Sequence, residues 1–365
     1  MKFYTLFPDC QNIHLIKDVG MIPYILNKEH GVDAYIVSNA NGDYPYLKTE
    51  VVGLNHVVLK RVTGNKNLDS LIFVFFNFWK IDALQLYHFN IFNVIILNLF
   101  KFLNFFRKSK TYLKLDADDG ILDLKLRGVH GNFFKYLISK IDIISIETQL
   151  LYKELIKRPY FNNLIYLPNG FTGEKVEIAN KESFFLTVGR IGTHQKNTEL
   201  LLEAFRRKYT ELNGWKLIII GPIEEKEKDF NGYISHFFAN NPQLKDDVLF
   251  LGPIYDRKLL NDYYKRADVF VMPSRYEGFA LVYLEAIKFG CKMLLSNIRP
   301  AFDIVKSDKI GYLFSSDEVE DLGLKLIKIS SEPIDVKNNL YIQDFACQNF
   351  HWSKIVDELY NKLKI

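Results

Sequence analysis

Residues 183–205 read SFFLTVGRIGTHQKNTELLLEAF. The first part is a continuous apolar run closed by Gly189. The last part repeats apolar residues at the spacing of a helix, and Asn197 stands where a residue would cap it. A strand buried on both faces, a short polar turn and a helix make the unit from which parallel sheets are built. The turn contains Arg190 and Lys196, which places two cations at the carboxyl edge of a sheet, where open α/β folds bind ligands. Arginine and lysine there suit phosphate oxygens, although, taken alone, they read first as solvated loop cations.

The same punctuation recurs downstream in WKLIIIGP (215–222), DVLFLGP (247–253), ADVFVMPS (267–274) and CKMLLSN (291–297). Upstream, strands are expected over 34–38, 83–88, 111–115, 141–146 and 165–167. Between the two series lies LPNGFTGEKVEIANKE (167–182), polar, glycine-bearing and without helical period. The reading is therefore a first α/β domain over 1–170, a linker over 171–182, a second α/β domain over 183–345 and a final segment over 346–365. In that segment Trp352, Ile355, Val356, Leu359, Tyr360 and Leu363 form one stripe of an amphipathic helix, which must pack on something.

Composition narrows the function. A chain of 365 residues with 48% hydrophobic and 25% charged residues can bury two ordinary cores. A net charge of only +4 disfavours a general nucleic-acid binder. Cys10, Cys291 and Cys347 lie far apart, match neither metal-ligand nor disulfide spacing, and read as buried thiols of a reducing compartment. The opening MKFYTLFPDC lacks the apolar core and cleavage site of a secretory signal, so a cytoplasmic location is expected. No strand is followed by G-x-G-x-x-G with an acidic residue at dinucleotide spacing, which sets dehydrogenase chemistry aside.

A second constellation is YEGFALVYLEAIKFG (276–290). Gly278 would let a ligand approach the backbone, and Phe279, Ala280 and Leu281 would offer amides at a helix start, a dipole end suited to diphosphate. With a helix from about residue 280, Glu277 and Glu285 lie on the order of 10 Å apart. That is wide for a carboxylate pair astride one glycosidic bond, about 5 to 9.5 Å. It suits two carboxylates gripping hydroxyls of two sugars with a diphosphate between them, which describes a nucleotide sugar. The plainer alternative makes Glu285 an exposed helix residue and Glu277 a helix-dipole partner.

Taken together, GRIGTHQKN, then Glu277, seven residues and Glu285, resemble the donor-binding half of retaining glycosyltransferases of family 4. YLPNGF is similar to that family's entry into the second domain, and the tryptophan-bearing final helix is similar to the one that crosses back in GT-B proteins. The resemblance implies a GT-B architecture: two Rossmann-like parallel-sheet domains facing across a cleft, the first for the acceptor and the second for the nucleotide-sugar donor. It implies that Arg190 and Lys196 bind the diphosphate, Glu277 holds the transferred sugar, Glu285 binds the ribose, and Gly189 with Gly278, Phe279, Ala280 and Leu281 complete the donor pocket. The expected activity is retaining transfer of a hexose-type sugar to a glycan or lipid-linked glycan in cell-surface polysaccharide synthesis. The nucleotide-diphosphate sugar is the co-substrate, and no metal is required.

In the first domain the resemblance makes Gly20, at a helix beginning, a donor-facing glycine. His88, at the end of DALQLYHFN, becomes a contact for the reacting sugar. KLDADDG sets Asp116 and Asp118 on one side of an extended strand, open to three readings: an acceptor-side contact, a turn, or a divalent-cation site. FNIFNVIILNLFKFLNFFRKSK (89–110) is interrupted by Asn and Lys, too often for a spanning helix, but its aromatic bulk beside Lys101, Arg107, Lys108 and Lys110 suits peripheral contact with an anionic membrane. With 30 Phe and 21 Tyr in the chain, a core helix is the competing reading. A nucleotide-sugar epimerase of the same architecture and a non-catalytic nucleotide-sugar binder remain alternatives.

Overall fold

The residues KFYTL near the start of the chain form an inner strand of a seven-stranded sheet in the computed structural model, which describes residues 1–178, 180–224 and 229–364. Residue 179 of the expected linker, residues 225–228 of the expected second domain and Ile365 of the final segment lie outside the described residues. The chain divides into two units, Met1–Thr172 with Phe350–Ile365, and Gly173–Asn349.

The first unit contains β1 (Lys2–Leu6), β2 (Asp33–Ser38), β3 (Asn55–Val58), β4 (Ala83–Tyr87), β5 (Lys110–Lys114), β6 (Ile143–Ile146) and β7 (Leu164–Tyr166), ordered 3-2-1-4-5-6-7 and parallel throughout. The order reverses between β1 and β4, the switch point at which such sheets open a crevice at their carboxyl ends. β1 and β3 are not among the strands expected from sequence. β1 is short and soon followed by Pro8, and β3 (NHVV) is a partly exposed edge without an apolar run.

Four helices of this unit cover the sheet where its chemistry and its surface are most distinctive: α1 (Asp18–His30), α2 (Lys66–Asn77), α3 (Ile91–Leu103) and α4 (Gly128–Ser139). Asn65 and Asn90 cap α2 and α3 by accepting amide hydrogens of the first turn. The sheet has a core on each face. One core gathers Val74 of α2, Val94, Leu97 and Phe100 of α3 and Ile138 of α4. The other gathers Ile22, Ile25 and Leu26 of α1 with Trp352, Ile355, Val356, Leu359 and Leu363. The expected terminal stripe is thus buried in the first unit, and Tyr360 stacks on His30 with centroids 4.0 Å apart.

The second unit holds β8 (Glu182–Val188), β9 (Lys216–Ile220), β10 (Val248–Gly252), β11 (Ala267–Met272), β12 (Lys292–Ser296) and β13 (Gly311–Phe314), ordered 10-9-8-11-12-13 and parallel. The unexpected β13 is four residues long, and its Gly311 is obligatory: at φ +153° a Cβ would stand 1.8 Å from the Met293 carbonyl oxygen. Its helices include α5 (Thr198–Lys208), α6 (Arg257–Arg266), α7 (Leu281–Lys288) and α8 (Val336–Phe350), and the chain ends in α9 (Trp352–Leu363).

The stretch read as a linker is docked along much of its length. Gln343 of α8 donates to the Val176 carbonyl at 2.9 Å, Lys175 pairs with Asp344, and the buried Lys181 ammonium donates to the carbonyls of Tyr264 and Phe289. Cys10 and Cys291 are buried thiols as expected, whereas Cys347, on α8, is only partly buried. No helix among the described residues is long and apolar enough to cross a membrane.

Candidate functional site: two sheet edges and their carboxylates

At the carboxyl end of β8 the chain leaves the sheet through Gly189, whose amide donates to the Ile220 carbonyl at 3.0 Å. The turn is wound by Thr193, whose carbonyl accepts from the Lys196 and Asn197 amides, both at 3.1 Å. This returns Lys196 over Gly189: a Cβ on that glycine would lie 3.4 Å from the lysine Cε. Asn197 occupies the cap position but does not cap. It adopts φ +51°, and its side-chain amide donates to Asp317 at 2.9 Å, which corrects the expectation from sequence. Asparagine tolerates left-handed backbone better than most residues, which accounts for its presence.

The turn meets the loop that follows β11. The Lys196 ammonium contacts Glu277 Oε1 at 2.5 Å, with the two side chains only 13% and 9% exposed. Gln195 donates to Glu277 Oε2 at 3.1 Å and to the Tyr276 carbonyl at 3.0 Å, and its own carbonyl oxygen accepts from Arg190 at 2.6 Å. Arg190, Lys196 and Glu277 are therefore one network, joined by Gln195. Arg275 locks the two loops together by donating to the His194 carbonyl and to Asp317, each at 2.7 Å.

Glu285 lies one helix further along and keeps separate company. In α7, it accepts from Arg257 at 2.6 Å on one oxygen and from the Tyr264 hydroxyl at 2.9 Å on the other. Burial, then the Glu285 charge, push the Tyr264 hydroxyl well above its usual pKa, so it stays a donor. Ala280 is the residue before α7, and Leu281 is its first. Gly278 is exposed, and a Cβ there would meet nothing within 4 Å. No close backbone approach among the described residues explains it, so the glycine leaves open space at the mouth of the helix.

In the first unit the structure brings His88 and Asp116 together, with Nδ1 to Oδ2 at 3.6 Å and both side chains about half exposed. Both have positive φ, +67° and +41°. Asp116 and Asp118 do not share an extended strand: β5 ends at Lys114, and Asp118 caps its own turn by accepting from the Gly120 amide at 2.9 Å. Gly20 lies inside the first turn of α1, and a Cβ there would stand 2.1 Å from the Leu15 carbonyl oxygen. Packing against the preceding turn accounts for this glycine.

Beneath His88 and Asp116 is a buried charge cluster. The Lys114 ammonium, fully buried, contacts Glu147 at 2.7 Å and Asp18 at 3.6 Å. Glu147 also accepts the amides of Asp116 at 3.1 Å and Ala117 at 3.4 Å, so this carboxylate seats the loop leaving β5. Burial opposes the Lys114 charge, but Glu147 and then Asp18 outweigh it and hold the pKa above the usual lysine range. Burial raises the Asp18 carboxyl, with Lys114 opposing.

Sequence reasoning misses Gln195, Arg257, Tyr264, Glu147 and Asp18. Gln195 sits inside the turn GRIGTHQKN between the two cations that carry the signal. Lys114 offers a signal of its own, because a lysine in an otherwise apolar inner strand demands a buried partner. The others become partners only through tertiary structure.

Residues 171–343 match the family model described as glycosyl transferases group 1. Among curated proteins, the chain is 29% identical over 143 residues to the amylovoran biosynthesis glycosyltransferase AmsD of Erwinia amylovora, covering 39% of this chain and 37% of that protein. It is 26% identical over 235 residues to the capsular polysaccharide biosynthesis glycosyltransferase CapM of Staphylococcus aureus, covering 57% and 59%. The matches thus span between about a third and three fifths of these relatives' own length. Among solved structures, HepE of Anabaena in complex with UDP superposes with a TM-score of 0.72 at 15% identity, covering 100% of this chain and 99% of that one. The expected fold class is borne out: two parallel-sheet α/β domains of the GT-B type, with the terminal helix returned to the first.

Proposed function

We propose that the chain is a metal-independent, retaining glycosyltransferase of family 4. It would transfer a hexose-type sugar from a nucleotide diphosphate to a glycan or lipid-linked glycan during polysaccharide synthesis at the inner face of the cell membrane. The observation that carries the reading is the network of Arg190, Gln195, Lys196 and Glu277 at the carboxyl edge of the second sheet. The CapM relative and the UDP complex of HepE support a polysaccharide product and a uridine nucleotide as the first donor to try.

In the reaction the anomeric carbon exchanges its bond to a diphosphate oxygen for one to an acceptor hydroxyl oxygen, and the hydroxyl proton passes to the departing diphosphate. Negative charge grows on that diphosphate. Arg190, Lys196 and the amides at the start of α7 supply fixed positive charge there, and such preorganised groups typically contribute about 3 to 4 kcal/mol each. Glu277, held from both oxygens by Lys196 and Gln195, has one orientation in which to receive hydroxyls of the transferred sugar. Glu285, steadied by Tyr264, would accept the ribose hydroxyls, and Arg257 would have to share or release its oxygen. His88 and Asp116 would stand on the acceptor side, seated from below by Glu147.

The test is incubation with labelled UDP-sugars, with and without glycan acceptors. Transfer of label to acceptor with release of UDP and retained anomeric configuration supports the reading. An epimerised donor formed without acceptor, or tight donor binding with no turnover on any acceptor, defeats it.

A further inference from the structure

The helices covering one face of the first sheet present apolar side chains to solvent. Phe76 of α2, Phe102 of α3 and Phe133 of α4 are 61%, 72% and 61% exposed, and Trp79 and Phe106, just beyond α2 and α3, are 50% and 88% exposed. These helices share one core, so their outward sides belong to one layer. Arg107 ties the two aromatic ends together, donating to the Trp79 carbonyl and pairing with Asp82 at 2.9 Å. Contiguous exposed apolar surface of this kind marks an interaction site rather than chance exposure.

The charge around it is mostly positive: Asp82 and Asp142 lie near it, but each is paired, with Arg107 and with Lys101. No aspartate or glutamate occurs from Ala83 to Leu115, and α4 has none. The single acid of α2, Asp69, is buried and turned inward to the Val62 and Thr63 amides. Lys80, Lys108, Arg127 and Lys140 stand exposed around the aromatics. A second copy docking face to face would set cations against cations with no exposed acid in these helices to pair them.

We propose that this face rests in the interface of a bilayer containing anionic lipid, with Phe76, Trp79, Phe102 and Phe106 at the acyl boundary and the lysines and arginines among the headgroups. The contact is peripheral, since none of these helices can span. It does not rest on the transfer chemistry, because the residues are separate from the carboxyl-edge networks and the test uses no sugar nucleotide.

The test mixes the full chain with vesicles of phosphatidylcholine alone or of phosphatidylcholine with phosphatidylglycerol. Sedimentation with the phosphatidylglycerol vesicles, weakened by added salt, is expected. Of the three tryptophans only Trp79 is exposed, so a blue shift of emission on those vesicles reports its burial. A Phe102→Ser and Phe106→Ser double variant should bind at least about tenfold more weakly, and Lys108→Glu about fivefold, with unchanged unfolding temperature. No sedimentation at low salt, binding indifferent to these substitutions, or self-association that disappears in the phenylalanine variant would each overturn the proposal.

Discussion

At the scale of single residues, the two cations of the second-sheet edge differ in what else they do. Lys196 is shielded and neutralises Glu277, whereas Arg190 is exposed and donates to the neutral amide oxygen of Gln195. Replacing either with alanine is expected to slow transfer by about 10² to 10³-fold. Only Lys196→Ala should also lower the urea midpoint, because it strands a shielded carboxylate. Equal stability of the two variants, or normal turnover in both, would contradict this division of labour. Much of this site is legible in the sequence: Arg190, Lys196 and Glu277 are polar residues at loop positions after apolar strands, where sheet topology itself specifies an address. Gln195 and Tyr264 are not legible, because an amide or a phenol gains its meaning from the partner it meets.

At the scale of elements, α5 carries a measurable electrostatic device. Glu203 accepts from Arg206 at 2.7 and 2.8 Å and from Arg207 at 2.7 Å. Hydrogen bonding from Arg206, opposed by burial and aided by Arg207, lowers its pKa from 4.5 to about 2. Since the folded value lies below the ordinary one, the stabilisation is complete above about pH 4.5 and disappears as pH falls toward 2. The stability gap between wild type and Glu203→Gln should therefore be constant near neutrality and close across that acid window. A gap that persists at the acid end would exclude the pairing as its source.

The start of α1 gives a second test at this scale. Gly20→Ala should cost about 1 to 3 kcal/mol, because the backbone of Leu15 must yield. Denaturant unfolding measures it, and an unaltered midpoint would return the glycine to a role in donor contact. Elements with continuous apolar runs, such as β9 and β11, are readable because burial on both faces leaves no other pattern. β1, β3 and β13 escape not through length, since β6 and β7 are as short, but because Thr5 and then Pro8 break the first, Asn55 and His56 open the second, and Gly311 opens the third. The strand expected at Asp116 is absent for a related reason: the left-handed backbone at that residue is fixed by the Glu147 carboxylate beneath it, far away in sequence.

At the scale of the whole molecule, the donor reading has a thermodynamic signature. A nucleotide diphosphate that binds only the folded second unit should stabilise it by about 2.7 kcal/mol at a concentration one hundred times its dissociation constant. A melting-temperature screen against UDP and other nucleoside diphosphates reads this directly, and Lys196→Ala should erase the shift. No response to any nucleoside diphosphate would remove the basis for the donor assignment.

The burial of α9 against α1 has a further consequence for how the protein comes into being. The half that leaves the ribosome first lacks Trp352, Ile355, Val356, Leu359 and Leu363, the side chains that close one of its two cores. The half made later, Gly173–Asn349, has the residues of its own core, from Phe185 to Ile329, in hand before α9 is made. Completion of the two units thus runs against synthesis order: the first keeps an apolar flank uncovered until α9 has been made.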